Sequence, residues 1–147
     1  MESKERILNC GEASKFLFVC GREVLLEKRL VGKHGFPNEI KIPGGKRDET
    51  DKDIRETVLR EIKEETGLEG ISLIPLGTNF RAITTNAHLY DIQAFMVYVK
   101  SKNLVQNLVP EKGKHIWMDI NQAHNELDWS DDLLILERAL RLLPGED

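Results

Sequence analysis

A chain of 147 residues with 40% hydrophobic and 31% charged side chains has the size and balance of a single globular domain with a full core, expected here over residues 1–147. Its 21 basic and 25 acidic side chains leave a net charge of −4, which argues against a nucleic-acid polymer as partner but allows a small phosphorylated ligand held by a few local cations. No apolar run approaches the ~20 residues that span a bilayer, and neither a signal peptide nor an anchor is visible, so we expect no membrane partner and a cytoplasmic location.

Cys10 and Cys20 are too few and too far apart for a disulfide framework or a zinc site, and read as buried thiols of a reducing compartment. Arg6 to Cys10 reads as a short edge strand. Phe16–Cys20 and Glu23–Arg29, separated by Gly21-Arg22, read as two strands of a hairpin in the central sheet. Leu30 to Asn38, with Gly32, Gly35 and Pro37, reads as a loop bordering the ligand, followed by a short strand at Glu39–Ile42.

Ile54, Val58 and Ile62 recur every four residues and predict an amphipathic helix, started by Thr50 or Asp51 and ended by Gly67 in the left-handed position. Glu61, Glu64 and Glu65 stand at i, i+3 and i+4 on another face of it. Three carboxylates so placed repel one another unless a cation sits among them, and hard oxygen donors suit magnesium or manganese. The plain alternative is a solvated acidic face. The turn Pro43-Gly44-Gly45 just before the helix favours the metal, because glycines let backbone approach phosphates at a helix N-terminus.

Beyond the helix, Ile71–Gly77 predicts a strand that Pro75 confines to an edge or a bend. His88–Val99 predicts a long central strand, Ser101–Lys114 a polar connection, His115–Met118 a short strand and Asn121–Asn125 a helical turn. A last helix is predicted from Ser130 to Leu143 with Leu133, Leu136, Leu140 and Leu143 on its apolar face and Ser130 as N-cap. Runs of strands with two main helices imply an α/β fold with a mixed sheet between helices.

The segment Arg60-Glu61-Ile62-Lys63-Glu64-Glu65-Thr66-Gly67-Leu68, preceded by Gly44-Gly45, closely resembles the signature of the Nudix hydrolases. The first half departs from the usual pattern: the spacing from Gly45 to Arg60 is one residue longer, and Asp51 or Lys52 stands where a glutamate is usual. The resemblance implies the Nudix α/β/α sandwich and hydrolysis of a phosphoric anhydride with Mg2+, or Mn2+, as cofactor. It implies Glu61 and Glu65 as metal ligands, joined by Glu64, the Gly45 carbonyl and Glu111, with Glu61, Glu64 and Glu65 as the catalytic set. It also implies a structural role for Asp51 and Arg60, tying the loop to the helix.

For the substrate, Asp128-Trp129-Ser130-Asp131-Asp132 and Leu89-Tyr90-Asp91-Ile92 resemble segments that line the base pocket of oxidised-purine nucleoside triphosphatases of the MutT-homologue type. That likeness implies Trp129 stacking on a purine, Asp131 and Asp132 reading its edge and Tyr90 forming a wall, with Lys41 where that branch has an asparagine contacting the base; Lys46 and Arg47, beside the glycine turn, are read as phosphate contacts or as plain solvated cations. The same acids also suit a helix N-terminus with no ligand at all. The expected reaction is cleavage of a purine nucleoside triphosphate to monophosphate and pyrophosphate by a monomer or homodimer. Cleavage of coenzyme A, which the longer spacing resembles, of ADP-ribose or of a nucleotide sugar is the alternative, and a non-catalytic nucleotide-binding regulator is the alternative of another class.

Overall fold

In a computed structural model, residues 9–29, 38–83, 88–105 and 113–143 are described. Seven strands form one mixed sheet: β1 (Asn9–Cys20), β2 (Glu23–Arg29), β3 (Ile40–Lys41), β4 (Gly44–Lys46), β5 (Ile74–Ile83), β6 (His88–Tyr98) and β7 (Gly113–Asp119). The helices are α1 (Ile54–Thr66), α2 (Ile120–Glu126) and α3 (Ser130–Leu142), with a 3-10 turn at Lys102–Leu104.

Strand alternation divides the core into two layers. Phe16, Phe18, Leu25, Phe95 and Val97 face α1 and pack on Ile54, Val58 and Ile62, the stripe expected from the sequence. Leu17, Val19, Val24, Leu26, Ile92 and Met96 face the other way and pack on Ile120, Ala123, Ile135, Leu136 and Ala139 of α2 and α3. The result is a sheet between two helical layers, the α/β/α sandwich.

β1 is the spine. It pairs in parallel with β6 from Asn9–His88 to Val19–Tyr98, but with β2 only at Val19–Val24 and Cys20–Glu23. Beyond those two pairs β1 and β2 diverge, and the segment from Ile40 to Lys46 fills the gap, with β3 on β2 and β4 on β1. Phe16 N–H reaches Pro43 O at 2.9 Å within that gap. The Pro-Gly-Gly turn is thus wedged into the sheet and does not sit on an outer loop.

Several expectations change. The first described strand is one continuous central strand from Asn9, so residues 9 and 10 belong to the spine and not to an edge. Asp53, not Thr50 or Asp51, caps α1: its side chain accepts Glu56 N–H at 2.9 Å, because Asp51 is engaged elsewhere. Gly67 ends the helix at φ 82° as expected. β5 does lie at an edge, with its pairing to β6 irregular between Pro75 and Gly77, and it runs on to Ile83.

The buried face of α3 is Asp132, Ile135, Leu136 and Ala139, followed by Leu143, while Leu140 is exposed. Ser130 is the first helical residue and Trp129 occupies the N-cap position without a side-chain cap bond. Cys20 is half-buried against the α1 layer, and the Cys10 side chain lies outside the described residues.

Candidate active site

The loop between β4 and α1 is held by two arginines. Arg60 Nε and Nη2 donate to the two oxygens of Asp51 at 3.0 and 2.9 Å, a forked pair that only a guanidinium makes. Asp51 also accepts Asp48 N–H at 2.9 Å and the Thr57 hydroxyl at 2.9 Å. The Arg60 guanidinium above all, then these donors, hold the Asp51 carboxyl well below the usual carboxylate range. Arg47 donates to Asp51 O at 3.1 Å and Lys52 O at 2.8 Å, and pairs with Glu12 at 3.0 Å, so its side chain braces the loop. These bonds occupy Arg47 with the loop, in place of the phosphate contact expected of it.

Arg60 turns its remaining nitrogen to the helix acids, with Nη1 at 3.2 Å from Glu61 Oε1 and 3.4 Å from Glu64 Oε1. Glu61 and Glu65 point inward, with side chains at most 13% exposed, whereas Glu64 is 55% exposed. The three-carboxylate cage expected from helical spacing is therefore not closed. Among the described residues no three His, Cys, Asp or Glu side chains stand close enough together to hold an ion. Glu111 lies outside the described residues.

Glu61 is seated against the glycine turn. A Cβ built on Gly44 would overlap the Ser14 carbonyl, so that position excludes a side chain, whereas one on Gly45 would come within 2.6 Å of Glu61 Cγ and would displace the Glu61 side chain. The carbonyls of β4 alternate toward and away from β1. Gly45 O receives the buried Ser14 hydroxyl at 3.2 Å, on the β1 side. Lys46 O faces the opposite way, to Arg60 Nη2 at 3.3 Å, and Gly44 shares its parity. This corrects the expectation for Gly45, whose carbonyl is turned into the sheet, and leaves the Gly44 carbonyl on the open side.

The residues nominated for a base gather only in part. Lys46 Nζ lies 4.9 Å over the Tyr90 ring, and the ring lies close against Gly11, where a Cβ would be 3.0 Å from it. Lys41 is partly buried and pairs with Glu27 at 3.5 Å; burial pulls its ammonium below the usual lysine range. Asp132 is fully buried: Lys15 Nζ meets one oxygen at 2.5 Å and Ile42 N–H the other at 3.2 Å. Its side chain is a brace across the sheet gap and does not present an edge to solvent, contrary to expectation. Asp131 is half-buried and Trp129 is 46% exposed at the helix start.

Lys15, Ser14 and Asp128 escaped the sequence reading. Asp128 accepts Ile40 N–H at 2.8 Å and so clamps β3. For Lys15 a signal was present, a lysine alternating with Leu17 and Val19 on a face otherwise apolar. An open depression of about 570 Å³ lies on the other side of the loop, lined by Gly11, Glu12, Arg47, Asp48, Glu49 and Asp91, and none of the nominated base contacts borders it.

Comparison with known proteins matches this arrangement to one family. The family model described as the NUDIX domain matches residues 13–138. The mitochondrial coenzyme A diphosphatase of Mus musculus is 51% identical over 45 residues, 31% of this chain and 20% of that protein, so the match spans about a fifth of the relative's length. A MutT NUDIX hydrolase from Burkholderia pseudomallei superposes with a TM-score of 0.70 at 19% identity, covering 88% of this chain and 98% of that one. An Ap4A hydrolase from C. elegans superposes with a TM-score of 0.71 at 15% identity, covering 89% and 96%. Such identities speak to the fold, and the family rests on the match over residues 13–138, which takes in the braced loop, the glycine turn and all three helix glutamates: the chain belongs to the Nudix hydrolase superfamily.

Proposed function

We propose that this chain is a magnesium-dependent pyrophosphohydrolase that cuts the phosphoric anhydride of a purine nucleoside triphosphate, releasing nucleoside monophosphate and pyrophosphate. The observation that carries the reading is Glu61 seated directly against Gly45 of the glycine turn, in the space a side chain there would take, beside the forked Arg60–Asp51 pair. The donor types fit a hard divalent cation: the carboxylates of Glu61 and Glu65 and the outward Gly44 carbonyl are hard oxygens that would hold it, with manganese the alternative ion. Such an ion neutralises phosphoryl oxygens and lowers the pKa of a bound water.

The protein's own groups do the rest. Arg60 screens the mutual repulsion of Glu61 and Glu64 and fixes the loop, so the carboxylates are held ready without a large rearrangement. Glu64, exposed and only loosely held, is the acid best able to accept a proton from the attacking water. Lys46 on its Tyr90 platform supplies a cation beside the glycine turn for the phosphate chain.

A second reading, cleavage of coenzyme A, is favoured by the 45-residue likeness to the mouse coenzyme A diphosphatase. Phosphate and pyrophosphate release with magnesium, measured over purine and pyrimidine triphosphates, ADP-ribose, nucleotide sugars and coenzyme A, separates the two. A purine triphosphate preference supports the first reading, and turnover of coenzyme A alone replaces it with the second. Turnover lost in Glu65→Gln is expected under either; nucleotide binding without turnover in the unmodified protein would mark a binding module. We place the protein in the cytoplasm as one domain; among the described residues no helix is long and apolar enough to cross a membrane.

A further inference from the structure

Lys15 follows the alternation of Leu17 and Val19 and enters the sheet face that α3 covers. There its ammonium meets Asp132, whose second oxygen is taken by Ile42 N–H. A carboxylate engaged at both oxygens and fully buried has little left to offer a donor on a ligand. The Lys15 ammonium has three donors, and its side chain keeps 18% of its exposure.

Its surroundings suit a flat ring. Across the sheet Lys15 stands opposite Gly44 on β4 and Ala94 on β6, and one repeat along β1 Ala13 lies opposite Lys46. Two cations therefore flank a floor of small residues, with the Tyr90 ring beneath Lys46 and Trp129 half exposed at the start of α3. A nucleotide whose anhydride lies at the Gly44–Gly45 turn has the Tyr90 ring on this face for its base, packed in the same layer as Ala13 and Ala94.

We propose that Lys15 is a specificity-determining residue that donates to a ring carbonyl of the base, so that the enzyme favours 6-oxopurine over 6-aminopurine nucleotides. An exocyclic amino group is itself a donor and would face the ammonium with no acceptor, since Asp132 is fully buried and has no surface to offer it. The proposal rests on the nucleoside triphosphate reading above and names the substrate class within it.

The test is kcat/KM for inosine triphosphate against adenosine triphosphate, whose bases differ in the 6-oxo and 6-amino groups. The unmodified protein should favour the inosine nucleotide by about tenfold, the size of one charge-assisted hydrogen bond. Lys15→Met alone strands a buried carboxylate, so it is paired with Asp132→Asn, which keeps an acceptor for Ile42 N–H. The double variant should bring the ratio to about one, and Lys15→Arg should retain the preference. A general folding defect lowers both rates and leaves the ratio alone. Equal rates in the unmodified protein, or a preference that survives in the double variant, overturn the role of Lys15 while leaving the triphosphate reading intact. Turnover of coenzyme A or ADP-ribose with neither triphosphate cut overturns both.

Discussion

Asp51 gathers the Arg60 fork, the Asp48 N–H and the Thr57 hydroxyl on one carboxylate, and all of these favour its charged form. Its folded-state pKa is depressed, so the stability it contributes is full above the unfolded value, near 4, and fades as pH falls through the lower folded value. Asp51→Asn should therefore melt below the parent at pH 7, and the gap should close as the pH is taken below about 3. Thermal melts across that range check it; a gap that stays constant with pH would mean that packing, not charge, is what the substitution removes. Gly45 carries a second residue-scale expectation. Gly45→Ala puts a methyl group 2.6 Å from Glu61 Cγ, so the carboxylate must swing off the turn. Manganese affinity, read by the spin resonance of the free ion, should fall about tenfold or more, with a melting temperature that changes far less than activity.

At the scale of elements, the cap and buried stripe of each helix make separable demands. Asp53→Ala removes the bond to Glu56 N–H and should cost about 1 kcal/mol in denaturant unfolding, with kcat little changed. In α3, Ile135→Ala should cost about 2–5 kcal/mol and Leu140→Ala much less, because the first is fully buried and the second lies on the outer face. The helix α1 was legible because Ile54, Val58 and Ile62 mark its buried face and Gly67 its end. Its cap was not, because Thr50, Asp51 and Asp53 are all competent and only the tertiary pull of Arg60 on Asp51 decides among them. In α3, Leu133, Leu136 and Leu143 of the expected stripe do meet the core and only Leu140 was misplaced, for a similar reason: its leucines satisfy helical spacing on several faces, and the sheet chooses the one with Asp132 at its head. The glutamates of the site could be named from spacing, whereas the ties of Asp132 and the direction of the Gly45 carbonyl depend on β1, far away in sequence.

For the whole molecule, the divergence of β1 and β2 opens the sheet, and the segment from Ile40 to Lys46 is gripped there from both layers. Ser14 and Lys15, neighbours in β1 that point to opposite faces, hold it through Gly45 O and through Asp132. Such a turn is positioned by the core itself, so an ion bound beside it should stabilise the entire fold and not only its loop. If the folded protein alone binds magnesium, stability rises as RT ln(1 + [Mg]/Kd), about 2.7 kcal/mol at one hundred times Kd. For a domain of this size that corresponds to roughly 2–4 °C of melting temperature per kcal/mol. The shift should follow magnesium concentration, be absent in potassium chloride of equal ionic strength, and reverse with chelator. Glu65→Gln should abolish the magnesium-dependent part, since Glu65 is one of the two buried carboxylates proposed to hold the ion. A melting temperature indifferent to magnesium in the unmodified protein, over concentrations that support turnover, would mean that the ion enters with the nucleotide and that Glu61 and Glu65 meet it only in the complex.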